Sequence, residues 1–204
     1  GLSVMTAGTA PVPTARPRRR VLVVHPAMAP YRLDLFNALA TACDLNVLFL
    51  GGRPWYDDSS AGGELMSGLA CQWSVVGGAS GRRPWLPFLG VSREAAAFGP
   101  DVITTHEFGW ASGLATLTPL VDRRVARVLW TTRSPHQFAR LSTVRRTAVR
   151  LMAPRADALL AYSPAARTAV AALASVPESR IFICANHQDG ARLRRLASTR
   201  AGRR

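Results

Sequence analysis

The chain has 204 residues, of which 48% are hydrophobic and 19% are charged, a balance that fits one globular domain and excludes a disordered polymer. All 26 basic residues are arginine, and the absence of lysine excludes every mechanism that needs a lysine amine, including the Walker phosphate loop, protein-kinase chemistry and Schiff bases. The three cysteines have no CxxC spacing, which argues against a disulfide framework or a zinc ribbon and indicates a reducing compartment.

The formal net charge of +14 is concentrated at the two ends of the chain. Arg16–Arg20 holds four arginines and Arg192–Arg204 holds six, which leaves 16 arginines against all 12 acidic residues in between, a net charge of +4. The composition is typical of a GC-rich coding sequence, so the arginine count alone does not indicate a ligand. We predict a flexible leader over 1–19, one domain over 20–190 and a flexible basic tail over 191–204.

The arginine-rich tails suit contact with an anionic membrane surface. Nucleic acid is the less favoured partner, because aromatic residues do not interleave with the tail arginines as a base-stacking surface requires. No apolar stretch reaches the ~18 residues of a membrane-spanning helix, and the N-terminus lacks the charge order of a secretory signal. We expect a cytoplasmic protein, with peripheral contact to the inner face of the membrane as the alternative.

From residue 20 onward, short β-branched or aliphatic runs alternate with longer helical stretches, as in βα units that build a parallel sheet. Most of the runs are continuously apolar, which is typical of strands covered on both faces. The predicted strands are Val21–His25, Leu45–Leu50, Gln72–Val76, Asp101–Thr105, Ala126–Thr131, Asp157–Tyr162 and Ile181–Cys184.

Helices are predicted over Tyr31–Ala42, Gln137–Met152 and Ala165–Ala174, the last with Ser163 as its N-cap. Gly51–Gly63 and Gly77–Gly90 have no helical period and are predicted to be long loops, which are uncommon in a compact domain unless they serve a site. We therefore predict an α/β fold with a single doubly wound, mostly parallel Rossmann-like sheet.

Three histidines are predicted at the carboxyl ends of strands, where open parallel sheets bind their ligands. His25 ends the first strand, His106 follows the fourth, and His136 lies in the loop after the fifth. Their spacing resembles no metal-ligand pair, so no metal site is predicted. For each histidine alone, a hydrogen-bonded structural role or a surface position is the alternative.

Glu107 directly follows His106 and would place an acid and a base on the same edge. Adjacent residues of an extended segment point to opposite faces, so both side chains can reach one substrate only if the chain turns there.

The first predicted strand is not followed by GxGxxG, which disfavours a nicotinamide-type dinucleotide site. A proline-bounded loop instead brings Tyr31 and Arg32 to the start of a helix, a place suited to an anion. The alternative is a simple proline start to a helix with a surface arginine.

Three stretches, VLVVHPAMAPYRLDLFNALA, PDVITTHEFGWASGL and RADALLAYSPAARTAVAALASVPESRIFICANHQD, resemble in order the N-terminal domain of retaining, two-domain GT-B glycosyltransferases of family 4. The resemblance covers about residues 20–190. The motifs that carry it are Pro30-Tyr31-Arg32, Ala156-Asp157 with Ala161-Tyr162-Ser163, Val176-Pro177 with Arg180-Ile181, and Asn186 to Asp189.

The resemblance implies that the sheet is one half of a GT-B architecture and forms the acceptor side of an enzyme. Such an enzyme transfers a sugar from a nucleotide-diphosphate sugar to an acceptor hydroxyl. The nucleotide sugar is a substrate, and neither a further cofactor nor a metal is expected. The candidate catalytic residues are His106, Glu107 and His136, and the candidate substrate-binding residues are Tyr31, Arg32 and Arg133.

Two departures from the family pattern bear on activity. The family's glutamate pair, spaced by seven residues in the C-terminal donor-binding domain, has no match among Glu64, Glu94, Glu107 and Glu178. The family histidine after the fifth strand is also absent, since this position reads Thr132-Arg133, with His136 three residues later. We expect a chain that is inactive without a donor-binding half, either a truncated product or one half of a split enzyme whose other half is a separate polypeptide. The alternative is a basic α/β binding protein that contacts nucleic acid or an anionic membrane through its arginine tails.

Overall fold

The computed structural model describes residues 17–50, 66–76, 86–118, 122–185 and Arg194. Seven strands form one sheet: β1 (Arg20–His25), β2 (Asp44–Phe49), β3 (Gln72–Val75), β4 (Val102–His106), β5 (Ala126–Thr131), β6 (Ala158–Ala161) and β7 (Ile181–Ile183). The helices are α1 (Leu33–Ala42), α2 (Leu86–Phe98), α3 (Trp110–Leu117), α4 (Pro135–Ala139), α5 (Thr143–Met152) and α6 (Pro164–Ala174). All seven predicted strands are confirmed, with bounds that differ by at most one residue.

The strand order is β3-β2-β1-β4-β5-β6-β7, and every neighbouring pair is parallel. Successive residues of β1 point to opposite faces, as the pleat of a strand requires. Leu22 and Val24 belong to one core with α2 and α3, whereas Val23 belongs to a second core with Phe36 of α1. The predicted doubly wound α/β fold is confirmed.

Two aspartates fix the starts of neighbouring strands. The Asp101 carboxylate accepts a 2.8 Å hydrogen bond from the Arg20 N–H, and the Asp157 carboxylate accepts a 2.7 Å bond from the Arg127 N–H. Each aspartate stands immediately before its own strand. The Ala156-Asp157 motif therefore has a structural role at the amino-terminal edge of the sheet.

The predicted helix over Gln137–Met152 is wrong in one respect, because it is two helices, α4 and α5. Ser134 and Gln137 form a reciprocal capping box that starts a short helix at Pro135. The Arg146 side chain then binds the carbonyls of Ala139 and Leu141 in the break. The apolar positions Phe138, Leu141, Val149 and Met152 are all buried, so the spacing marked the core face correctly.

Two other boundaries differ from the sequence prediction. The predicted loop Gly77–Gly90 is wrong from Leu86 onward, because α2 begins there and buries Val91, Ala95 and Phe98 at helical spacing. The predicted helix over Tyr31–Ala42 begins with one 3-10 turn, Pro30–Arg32, before α1. The remaining loop residues 51–63 and 77–85 lie outside the described residues.

The predicted leader and tail lie mainly outside the described residues, and their flexibility stays a prediction. Arg18, at the edge of the described part, donates a 2.7 Å hydrogen bond to the Cys43 carbonyl. Within the part of the chain that the structure describes, every helix falls short of the length and apolarity needed to cross a membrane.

Candidate functional site

The carboxyl edge of the sheet carries a cleft of about 540 Å³. Its lining includes His106, Glu107 and Arg133, three of the six predicted site residues, together with Thr132 and Trp110. A cavity of about 770 Å³ lies at the opposite edge and contains none of the six. Doubly wound sheets bind their ligands beyond the carboxyl ends of the strands, so the cleft is the candidate site.

The chain turns at Glu107, which lets both His106 and Glu107 line the cleft. Glu107 has φ 60°, a left-handed conformation that is uncommon for a residue other than glycine. Its N–H donates a 2.7 Å hydrogen bond to the Trp130 carbonyl, and its own carbonyl accepts a bond from the Ser112 hydroxyl. The turn that a shared substrate requires is therefore present and is held from both sides.

The Glu107 carboxylate fixes the loop after β5. Oε1 accepts 2.7 Å hydrogen bonds from both the N–H and the hydroxyl of Thr132, and Oε2 lies 2.7 Å from Arg133 Nε. The Glu107 and Arg133 side chains are 18% and 26% exposed, so the pair is only partly screened by water. The Glu107 carboxylate therefore holds both Thr132 and Arg133 in place.

His25 and His106 lie side by side beneath the cleft, with their ring centroids 4.7 Å apart. His25 is only 3% exposed, and its Nδ1 lies 2.8 Å from the Ala27 carbonyl oxygen. That bond requires the proton on Nδ1, which leaves Nε2 as a hydrogen-bond acceptor in the neutral ring.

Both histidines are neutral at pH 7. Burial, reinforced by His106 and Arg32, lowers the pKa of His25 to about 3. Burial also lowers the pKa of His106 to about 4; Glu107 opposes this shift, and Arg32 and Arg133 add to it. A histidine with so low a pKa is a weak base, so His106 is suited to accepting a hydrogen bond from a substrate hydroxyl rather than to removing its proton.

Arg32 is buried behind the cleft and is 2% exposed. Its guanidinium carbon lies 4.0 Å from the centre of the Trp130 ring, and it donates a hydrogen bond to the Tyr162 hydroxyl. Burial lowers the pKa of its guanidinium group. No carboxylate pairs with it among the described residues, and the interpretation as a surface arginine is wrong.

Tyr31 and His136 occupy different surroundings. The half-buried Tyr31 ring lies 5.0 Å from the Arg32 guanidinium carbon. His136 is exposed on α4 and is not among the residues that line the cleft. The structure thus gathers His106, Glu107 and Arg133 around the cleft and Tyr31 and Arg32 behind it, and it leaves His136 apart.

A sequence model of Glycosyltransferase Family 4 matches residues 62–189. The chain belongs to glycosyltransferase family 4. A search of curated proteins finds no match for this family 4 chain.

Solved structures with the same fold support the GT-B assignment. HepE from Anabaena, solved with UDP-glucose, is 17% identical over 83% of this chain and 44% of its own, with a TM-score of 0.60. UDP-N-acetylglucosamine 2-epimerase from Rickettsia bellii is 10% identical over 83% of this chain and 45% of its own, with a TM-score of 0.55. The family 4 chain spans less than half the length of these proteins, and at such identities the likeness shows the fold alone, one half of a GT-B architecture.

Eight buried side-chain nitrogen and oxygen atoms of the family 4 chain have no hydrogen-bond partner among the described residues, and four of these atoms lie at the carboxyl edge of the sheet. The four are His25 Nε2, Arg32 Nε, His106 Nδ1 and Trp130 Nε1. Most buried polar groups in proteins are paired, so this concentration indicates a place built for binding. In contrast, no group of three or more His, Cys, Asp or Glu residues within the described ranges is arranged to hold a metal ion.

Sequence reasoning missed Trp130 and Tyr162, which hold Arg32 in place. Trp130 is the next-to-last residue of β5, and Tyr162 directly follows β6. Applying the same strand-end rule to aromatic residues would have identified both.

Proposed function

We propose that this family 4 chain is the acceptor-side domain of a GT-B glycosyltransferase that transfers a sugar from a nucleotide-diphosphate sugar to an acceptor hydroxyl. The observation that carries the proposal is the cleft in which neutral His106 lies beside an Arg133 held by Glu107. Family membership supports the reaction class. HepE, solved with UDP-glucose, supports a nucleotide sugar as the donor.

Each cleft residue then has a chemical task. Arg133, which Glu107 holds in place, binds and orients the acceptor, and its charge acts most strongly where water is excluded. His106 accepts a hydrogen bond from a substrate hydroxyl and orients it. Burial keeps both histidines neutral, and the uncompensated charge of Arg32 behind the cleft adds to this effect.

A second domain is needed to close the cleft and to bind the donor, because one open edge of a sheet cannot exclude water by itself. We propose that this domain binds the nucleotide sugar, whether it lies on the same polypeptide or on a separate one. The nucleotide sugar acts as a substrate, and the proposal includes neither a further cofactor nor a metal.

The first test compares the chain alone with the chain joined to a donor-binding half. The chain alone should transfer no sugar and should bind nucleotide sugars weakly in calorimetric titration. In the reconstituted enzyme, Arg133→Gln should lower kcat by about ten- to a hundredfold, because the guanidinium orients the acceptor for the reaction.

The matched control is Arg140→Gln, which removes an exposed arginine that lies outside the cleft. This control should change kcat by less than about twofold. Tight one-to-one binding of a nucleotide sugar by the chain alone, or equal effects of the two substitutions, would contradict the proposed function.

A further inference from the structure

A smaller cavity of about 140 Å³ opens beside the cleft and shares Arg133 and Glu107 with it. Its other charged residue is Arg145 of α5, and its apolar lining includes Phe108, Leu141 and Val149. We call Arg133 and Arg145 together with these three apolar residues the arginine subsite.

The two guanidinium groups of the arginine subsite have N–H groups with no hydrogen-bond partner among the described residues. Arg133 engages Glu107 through Nε, and no described residue binds its two terminal nitrogens. Arg145 is exposed and makes no hydrogen bond or ion pair with any described residue. Glu107 balances one positive charge of the two, so the cavity keeps a net charge of +1 with two sets of N–H donors at its edge.

Both arginines stand on rigid supports. Glu107 fixes Arg133 from one side, and the Arg133 N–H contacts the Thr131 hydroxyl at 3.3 Å. Arg145 follows the break between α4 and α5, which Arg146 locks through the carbonyls of Ala139 and Leu141. Val149, four residues after Arg145 in α5, is buried. The backbone is therefore held at both positions, and ligand binding has to order mainly the exposed Arg145 side chain.

We propose that Arg133 and Arg145 bind a phosphate group of the acceptor, an assignment that rests on the proposed transferase function. Planar guanidinium forks match the oxygens of a phosphate, and two such forks on one cavity favour a multiply charged oxyanion. The cavity is far smaller than the neighbouring cleft, so it suits a phosphate group while the sugar-accepting hydroxyl lies in the cleft. The apolar lining from Phe108 and Val149 lowers the local dielectric and strengthens the attraction.

The test titrates the full chain, labelled with nitrogen-15, with inorganic phosphate and with glycerol 3-phosphate. NMR follows the Nε–H resonances of Arg133 and Arg145, and we expect both to shift with one dissociation constant in the millimolar range. Arg145→Gln should weaken binding at least about fivefold, because it removes a charged donor group from the site. Arg140→Gln, an equally exposed arginine that lines neither cavity, should weaken it less than about twofold.

Equal weakening by the two substitutions would overturn the subsite, because it would show diffuse attraction to a basic surface. The same resonance shifts with chloride at matched ionic strength would also overturn it. Since Arg145 is exposed, its replacement should leave the fold intact, which circular dichroism checks.

Vesicles that contain phosphatidic acid, a phosphate monoester like the soluble probes, distinguish the two sources of the phosphate group. If the acceptor is a lipid, Arg145→Gln should reduce vesicle binding more than Arg140→Gln does. If the acceptor is a soluble phosphorylated compound, vesicle binding should be equal for the two variants while phosphate binding still differs. Either result supports the shared phosphate chemistry.

Sugar transfer by the reconstituted enzyme gives the proposed function its own readout. Transfer without phosphate binding at Arg145 would overturn the subsite and leave the transferase function standing. Phosphate binding at Arg145 without transfer would overturn the transferase function, and with it the assignment of the bound phosphate to an acceptor.

Discussion

The two buried histidines couple the stability of the fold to pH. In the unfolded chain a histidine has a pKa near 6.5, whereas His25 and His106 have values of about 3 and about 4 in the fold. Below pH 6.5 the unfolded chain therefore binds more protons, so the stability is complete above that pH and falls as the pH decreases toward 4. At pH 5 the loss should be about 2 kcal/mol for each histidine.

Urea unfolding at pH 7.5 and pH 5.0 measures this loss. His106→Gln should remove about half of the histidine-dependent decrease, whereas His136→Gln, at an exposed position, should leave the decrease unchanged. An identical decrease in all three proteins would show that the carboxylates, rather than the buried histidines, set the pH dependence.

The charge of Arg32 should be measurable through the pKa values of His25 and His106. Arg32→Met removes the buried positive charge while keeping much of the side-chain volume, so the pKa values of His25 and His106 should both rise. The free energy of unfolding should fall by no more than about 1 kcal/mol, because replacing an uncompensated buried charge by an apolar group is often neutral.

Proton NMR titration of the imidazole resonances measures the shift, and Arg140→Met serves as the comparison. Unchanged histidine titration in Arg32→Met would mean that Arg32 contributes to neither pKa value.

At the scale of the elements, two serines at helix starts give a matched pair. Ser163 caps α6, since its hydroxyl oxygen accepts a 3.1 Å hydrogen bond from the Ala166 N–H. Ser142 stands at the same position before α5, but its side chain makes no capping bond. Ser163→Ala should therefore lower the free energy of unfolding by about 1 kcal/mol.

Ser142→Ala should lower the free energy of unfolding by no more than a few tenths of a kcal/mol. Chemical denaturation measures the free energy of unfolding of both variants. Equal losses would mean that the Ser163 capping bond does not stabilise this chain.

The sequence predicts the strands but not the break between α4 and α5, because the pattern of apolar residues shows the strands and does not show the break. Strands covered on both faces must be apolar throughout, so runs such as Val21–His25 stand out in the sequence. The break between α4 and α5 leaves no such mark, because Phe138, Leu141, Val149 and Met152 keep helical spacing across it. Hydrogen bonds of Ser134, Gln137 and Arg146 make the break, and spacing does not show them.

Site residues at strand ends were predictable for a related reason. The topology fixes where a strand ends, so the rule for parallel sheets identified His106 and, next to it, Glu107, whereas Arg133 was identified from the family resemblance. Arg145 escaped that rule because it lies inside a helix, and only the packing of α5 brings it beside Arg133. The burial of Arg32 was missed because sequence alone does not show that Trp130 and Tyr162 lie over the start of α1.

For the molecule as a whole, the sequence predicts that the terminal segments contribute little to folding, because they lack periodic apolar residues. Removing residues 1–16 and 195–204 keeps Arg18 and its bond to the Cys43 carbonyl. The thermal midpoint of the shortened chain should stay within a few degrees of the full chain in calorimetry. A loss of more than about 10 °C would show that the ends pack against the domain.

The position of β1 inside the sheet, between β2 and β4, has a consequence for synthesis. β2, which pairs with one edge of β1, follows it closely in the sequence. β4, which pairs with the other edge, comes much later. The Arg20 N–H binds the Asp101 carboxylate, 81 residues downstream, and until that part of the chain has been translated, one edge of β1 has no native partner. Contacts between residues so distant in sequence form slowly, and an open strand edge invites pairing with other chains. The rate at which the first half of the mRNA is translated should therefore affect the fraction of the protein that reaches its native state.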